Sequence, residues 1–545
     1  MRTRIALVLT LLLAGADTAV AAGAHRARLS ADLQDHLNAG SQVIDVIVHG
    51  DRATVDAIAA RYNLVVRRYL SSGAVLRVTA GQLEALQQDD ALDHLSGNTP
   101  IRASDTLTSE STGADQVWTG SRDVPALTGA NVTVAVIDSG MDPTHAALKN
   151  RIVATKDFTG GDGIDRFGHG THVAGIIAGA RVTTPDGGDY RGIAFGAKLV
   201  NLRVLDATGA GTVADVIEAI DWAVAHREQY KIRIINLSLG APVLQPYADD
   251  PMCEAVERAV RAGLVVIAAA GNYGRNADGK TVLGSITSPA NSPHAIAVGA
   301  VDTNGTPQRS DDTLAPYSSR GPTAYDLLLK PDLGAPGQHI VSAEASNAYL
   351  PTTYPSHHVT GQGSNAYFQL SGTSMSAAVV SGAAALLLDD RSQLGPGEVK
   401  AALQLTSTFM PAAGLIGAGA GNMNVLAAVE LVANGQLPAI TEIAGQYSPT
   451  SGTAFSDVSL SDVRAMGSSN RKTRPYFIGN RINRVNHKTV IWANTVIWSD
   501  TAIWSDTVIW SDTVIWSDTV IWSDTVIWSD TVIWSDADTV LDTSF

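Results

Sequence analysis

Five short aliphatic runs constrain this chain more than any other feature: residues 132–137, 199–205, 232–237, 264–269 and 295–301. Each strings Val, Ile, Leu and Ala on successive positions rather than alternate ones, as suits strands covered on both faces. Between them, 213–226 and 253–262 space apolar residues at helical intervals, and Gly263 stands where a helix C-terminus favours positive φ. Strands alternating with helices predict an α/β domain on a mainly parallel sheet. Ligands of such sheets bind beyond the carboxyl ends of the strands.

Three polar residues fall where that rule places a site. Asp138 follows the run ending at Ile137, Asn272 closes the string AAAGN after the 264–269 run, and His169 sits in GHGTHVAG at a helix start. Taken singly, each has a structural explanation as a turn cap or core histidine. A fourth residue joins them. Ser374, in LSGTSMSAAVVSGAAALLL, follows Gly372 and opens a small-residue and apolar run long enough for a helix buried on all sides. A hydroxyl on a first helical turn lies among free N–H groups at the positive end of the dipole. Serine is a weak nucleophile until a base takes its proton; histidine can do so, and a carboxylate fixes its tautomer. Asp138, His169 and Ser374 supply those roles, and Asn272 with the Ser374 N–H supplies donors for an oxyanion.

In VAVIDSGMDPTH, DRFGHGTHVAG, INLSLG, AAAGN, YSSRGP, KPDLGAPG and SGTSMSAA, in that order from Val134 to Ala378, the chain resembles the subtilisin-type serine proteases. The resemblance implies a secreted endopeptidase with a subtilisin-like three-layer domain over residues 106–436, acting on protein or peptide substrates. It implies two substrate-pairing edges, Gly209, Ala210 and Gly211 on one side and Ser238, Leu239 and Gly240 on the other, with Tyr273 beside the first specificity pocket. The chemistry needs no cofactor, and no calcium or other metal ligand is assigned. Ala378 and Val379 replace the Pro and His common in the family, a change confined to the first turns of the serine helix.

Upstream, residues 1–24 read as an export signal, with Arg2 and Arg4 before an apolar stretch and a small-residue cut at 19–21 or 22–24. Residues 43–95 follow a split βαββαβ pattern, ferredoxin-like, inside a segment 25–105 that resembles the family's inhibitory propeptide. The Ser/Thr-rich tract 97–112 reads as an exposed linker, and self-cleavage is expected between Ser96 and Gly113. Downstream, 437–488 reads as a linker. Then TVIWSD-type hexads run over 489–536, with a tryptophan at every sixth position from Trp492 to Trp534, before a short end at 537–545. Such an aromatic array suits attachment to a surface or polymer, or equally repeat expansion without a ligand. An adhesion protein that keeps a protease-like scaffold is therefore the alternative function. A net charge of -15 argues against a nucleic-acid partner, and the single Cys253 excludes an intrachain disulfide.

Overall fold

The computed structural model describes residues 26–29, 33, 37, 43–70, 72–97, 107–121, 124–457 and 489–492. The export segment, the tract 98–106, most of the linker, and the hexads beyond Trp492 lie outside the described residues. The chain divides at residue 102 into two compact units.

The first unit carries β1 (Arg28–Leu29), β2 (Ile44–His49), α1 (Arg52–Arg61), β3 (Val65–Leu70), β4 (Gly73–Val78), α2 (Ala80–Gln87) and β5 (His94–Gly97). Its sheet order is β1-β5-β2-β4-β3, so the last four strands form the split βαββαβ arrangement and β1 adds a parallel edge. Asp51 and Thr79 cap the two helices, the latter through a capping box with Gln82. Val46, Val48, Ile58, Leu76, Leu83 and Leu95 close its core.

In the second unit, α3 (Leu107–Thr112) precedes β6 (Thr133–Asp138), β7 (Ile152–Asp157), α4 (His169–Ala178), β8 (Lys198–Arg203), α5 (Val213–Tyr230), β9 (Ile232–Leu237) and α6 (Pro251–Arg261). After these come β10 (Val265–Ala269), β11 (Ile296–Asp302), β12 (Thr313–Leu314), β13 (Leu333–Pro336) and α7 (Thr373–Asp390). The eight-stranded sheet runs β12-β11-β10-β9-β6-β8-β7, with β13 also paired to β11. All pairings are parallel except β11 with β12.

Strand residues alternate between two cores, which is why the runs are apolar at most successive positions, with Thr133, Asn201, Arg203 and Asn236 as buried polar exceptions. Val134, Val136, Ile267 and Val298 face α4 and α7, while Ala135, Ile137, Val266 and Ala297 face α5 and α6. Three layers result. Glycines let the buried helices approach closely: a Cβ on Gly382 would lie 2.5 Å from Ile193 Cβ, and one on Gly175 2.2 Å from Ser342 Oγ.

Two segments depart from the sequence reading. The stretch expected to be an exposed linker up to Thr112 ends in helix α3, whose Ser109, Ser111 and Thr112 are buried. Thr112 Oγ1 donates to the Thr108 carbonyl at 2.7 Å, so the helix satisfies its own hydroxyl and hides polarity that reads as loop. The linker placed at 437–488 begins instead with a hairpin, Ile440–Ile443 against Gln446–Pro449, and a strand Thr453–Ser456 with Ala454 and Phe455 buried. Here too buried hydroxyls are satisfied, Thr441 by Asn424 Nδ2 at 2.8 Å and Ser451 by the Gln404 carbonyl at 3.2 Å. The backbone of Thr489–Trp492, in the first hexad, pairs antiparallel with Thr453–Ser456. Cys253 is a free, buried thiol.

Candidate active site

Parallel strands that end at one edge deliver residues from distant parts of the sequence to one place. Asp138 is the last residue of β6, Ser238 follows the end of β9, and Asn272 lies just beyond β10, on neighbouring strands. His169 is the first residue of α4 and Ser374 lies in the first turn of α7. His169, Asn272 and Ser374 line a common cleft of about 380 Å³.

Asp138 is 1 % exposed, and its Oδ1 and Oδ2 lie 2.8 and 3.0 Å from His169 Nδ1. Oδ1 also accepts the Ser139 N–H at 2.7 Å. A hydrogen on Nδ1 directed at Asp138 leaves Nε2 as the basic nitrogen. Burial alone would lower the His169 pKa, but the Asp138 carboxylate, with Asp165 behind it, outweighs burial and raises it.

Behind this pair stands a network that sequence reasoning missed. Asp165 accepts from the Ser139 hydroxyl at 2.9 Å, from Gly168 N–H at 2.7 Å, and from both the N–H (2.8 Å) and the hydroxyl (2.7 Å) of Thr171. Ser139 Oγ in turn accepts the Gly170 N–H at 2.9 Å. One buried carboxylate thus ties the end of β6 to the first turn of α4. Its position four residues before His169, typical of an acidic residue entering a helix, was the available signal.

The Ser374 hydroxyl donates to the Ser238 carbonyl at 3.1 Å, and Ser238 Oγ donates back to the Ser374 carbonyl at 2.8 Å. No hydrogen bond joins Ser374 to His169 among the described residues, so the hydroxyl must rotate about its Cα–Cβ bond to reach Nε2. Unliganded sites often hold their catalytic hydrogen bonds open in this way. The Ser374 N–H has no protein acceptor among the described residues, while its neighbours' N–H groups go to Asn272 (from Thr373) and Gly372 (from Met375). The Asn272 amide is oriented by Thr373: both its N–H and its hydroxyl donate to Asn272 Oδ1 at 3.0 Å. With that oxygen engaged, Nδ2 is the end left to donate.

Of the residues read as substrate edges, Gly209, Gly211, Ser238, Leu239 and Gly240 line the cleft, as does Tyr273, which is 62 % exposed at its rim. Ala210 does not line it; its N–H and C=O close a turn on Asp206. Two further side chains shape the cleft. Phe167 lies over Gly209, where a Cβ would fall within 2.6 to 2.9 Å of three of its ring atoms, and stacks on Tyr349 at 5.8 Å. Thr287 sits between the walls, 2.5 Å from where a Gly240 Cβ would be and 2.8 Å from a Gly271 Cβ. Among the described residues, no cluster of three His, Cys, Asp or Glu could hold a metal ion, and no helix is long and apolar enough to cross a membrane.

Comparison with known proteins bears on this constellation. The subtilase family profile matches residues 129–453. Serine protease AprX of Bacillus subtilis (strain 168) is 40 % identical over 307 residues, which cover 55 % of this chain and 65 % of AprX, just under two thirds of that relative. Subtilisin DY of Bacillus licheniformis is 35 % identical over 51 % of this chain and 85 % of its own length, and a subtilisin of Bacillus pumilus 34 % identical over 55 % and 92 %. The solved structure of Sphericase aligns at 26 % identity with a TM-score of 0.47, covering 59 % of this chain and all of its own. With a family profile matched along more than half its length, the chain belongs to the subtilase family of serine proteases.

Proposed function

We propose that the chain is a secreted endopeptidase that cleaves peptide bonds through an acyl-enzyme on Ser374. His169 Nε2 takes the hydroxyl proton as Oγ attacks the scissile carbonyl, then returns it to the leaving amine. Asp138 holds the imidazole in the tautomer required and offsets the charge of the imidazolium. The tetrahedral oxyanion receives hydrogen bonds from Asn272 Nδ2 and the Ser374 N–H, both rigid before substrate arrives. An extended peptide pairs through its backbone with Gly209 and Gly211 on one side and Ser238–Gly240 on the other, so recognition depends weakly on side chains. The carrying observation is His169, its Nδ1 held between the two oxygens of the buried Asp138 carboxylate, lining the same cleft as Ser374.

The reading extends to the flanking parts. Residues 25–105 act as an inhibitory folding unit removed by self-cleavage between Ser96 and Gly113, and the buried α3 favours a cut before Leu107. The hexads serve attachment to a surface or polymer. A fluorophosphonate probe should label the processed protein and not its Ser374→Ala variant; an unlabelled wild type refutes the mechanism. N-terminal sequencing of both should find the first unit removed in the wild type and retained in the variant.

A further inference from the structure

One part of the cleft wall is aromatic and is braced from behind. Phe167, half-buried, lines the cleft two residues before His169, and the end of its ring rests on the Gly209 backbone: a Cβ there would meet Cζ at 2.6 Å, Cε1 at 2.7 Å and Cε2 at 2.9 Å. Tyr349, 48 % exposed and outside the cleft lining, lies almost parallel to that ring, at 13° and 5.8 Å between centroids, as offset-stacked pairs do. The backbone fixes this stack. Tyr349 N–H donates to the Arg166 carbonyl and Leu350 N–H to the Phe167 carbonyl, both at 2.9 Å, while Pro351, Ala348 and Leu350 close to 3.2, 3.3 and 3.4 Å around the position a Gly168 Cβ would take. The short helix Tyr349–Thr353 thus covers one face of the Phe167 ring, and the cleft meets the surface that Tyr349 leaves free.

The sheet order places this ring relative to the scissile bond. From β10 through β9 and β6 to β8, the strand ends carry in turn Gly271 and Asn272, Ser238 to Gly240, Asp138 with its partner His169, and, in the turn after β8, Gly209. The scissile carbonyl lies at Ser374 and Asn272, so the side chain of the residue that carries it enters on the β10 side, between Gly240 and Gly271, where Thr287 stands. Successive side chains of an extended chain leave on opposite sides. The residue immediately N-terminal to the scissile one therefore points to the β8 side, into the space among His169, Phe167 and Gly209.

We infer, on the reading of this site as that of an endopeptidase, that the Phe167–Tyr349 stack is a specificity determinant: it receives the side chain of the residue immediately before the scissile one, and favours an aromatic ring there over a small or a charged side chain. A ring laid on Phe167 continues the stack and covers apolar surface that a methyl group leaves wet. A charged side chain gives up water without compensation, since no Asp, Glu, Lys or Arg is among the residues that line the cleft. Backbone pairing carries the rest of the peptide, and this one position adds a choice of side chain.

Steady-state kinetics on the p-nitroanilides succinyl-Ala-Ala-X-Leu, with X as Phe, Ala or Glu, tests this as a ratio of kcat/KM values. The wild-type protein should prefer Phe to Ala by about fivefold or more, with Glu the poorest of the three. Phe167→Ala and Tyr349→Ala should each bring the Phe-to-Ala ratio to within about twofold of unity, and Tyr349→Phe, which keeps the ring, should restore it. Because Tyr349 lines no part of the cleft, a ratio lost through it reports the positioned ring, whereas general damage to the cleft would lower all three substrates alike. The assignment is overturned by a wild-type ratio near one, by a ratio that survives both alanine variants, or by variants that slow the three substrates equally, in each case with Ser374 still labelled by a fluorophosphonate. The wild-type ratio needs no substitution and decides the matter even where a variant fails to fold. A wild type that neither labels nor cleaves any of the three overturns the endopeptidase reading, and this assignment with it.

Discussion

Replacing Thr373 with valine should slow turnover while leaving substrate affinity nearly unchanged. The side chain is fully buried, and valine keeps its shape, so the change is confined to one hydroxyl. That hydroxyl donates to Asn272 Oδ1 at 3.0 Å and accepts the Gly271 N–H at 3.1 Å. Its loss removes a neutral hydrogen bond worth about 1 kcal/mol and strands a donor at a further cost of about 1–3 kcal/mol. Only the share that lets the Asn272 amide turn away from the oxyanion reaches the transition state, because the Thr373 N–H still holds Oδ1 at 3.0 Å. The ceiling is the whole worth of such a donor, about 2.7–4 kcal/mol or 10² to 10³ in kcat. A partial loss of about 1–2 kcal/mol corresponds to roughly 5- to 30-fold in kcat at constant KM. Steady-state kinetics on a chromogenic peptide anilide would measure it, and a double-mutant cycle with Asn272→Ala supplies the decisive test. In the Asn272→Ala background, Thr373→Val should cost less than about twofold, since no amide remains to be oriented. An equal cost in both backgrounds would refute the orienting role of Thr373.

Three further outcomes follow from the geometry. His169 must be neutral to accept a proton, and burial, which lowers its pKa, is outweighed by Asp138 and Asp165; the acid limb of kcat/KM should therefore lie above pH 6.5, with activity lost as pH falls through it, and Asp138→Asn should shift the limb down while cutting the rate by about 10⁴. Asp332 accepts Lys330 Nζ at 2.7 Å and Lys400 Nζ at 2.8 Å, all three buried, and burial already pulls the Lys330 pKa down to about 7; Asp332→Asn should cost about 3–5 kcal/mol in chemical denaturation at neutral pH. Gly209→Ala must take φ +80° and displace the Phe167 ring, so KM for extended peptides should rise several-fold with little change in kcat.

Much of the second unit was legible because its sheet is covered on both faces. Val134 and Ala135 belong to different cores, so the run is apolar at successive positions from Val134 to Ile137 and stood out from its surroundings. The βαββαβ order of the first unit was legible through the turns and caps that punctuate it. What went unread were α3 and the 440–456 strands, where Thr and Ser are buried. Their hydroxyls find partners one turn back, as Thr112 does on Thr108, or across the fold, as Ser451 does on Gln404. Composition registers the polarity of such residues and cannot register its satisfaction.

The active site divides along a similar line. The proposed set Asp138, His169, Asn272 and Ser374 was legible because each role in acyl transfer demands a specific functional group, and the four stand together in strings that follow one another in the order of a single family. The residues that aim them were not. Thr373 and Ser139 act through hydroxyls, and Gly271 acts by lacking a Cβ next to Thr287. Ser, Thr and Gly are the commonest residues of turns, so their presence beside a strand end carries little information until the chain has closed around them. Asp165 is the intermediate case: its spacing before His169 announces a helix entry, yet only the Ser139 and Thr171 bonds show that the same carboxylate also locks β6 to α4. The geometry of this site is therefore set by residues whose identity is ordinary and whose position is not. Substitutions there should change how well the catalytic groups are aimed before they change which groups are present.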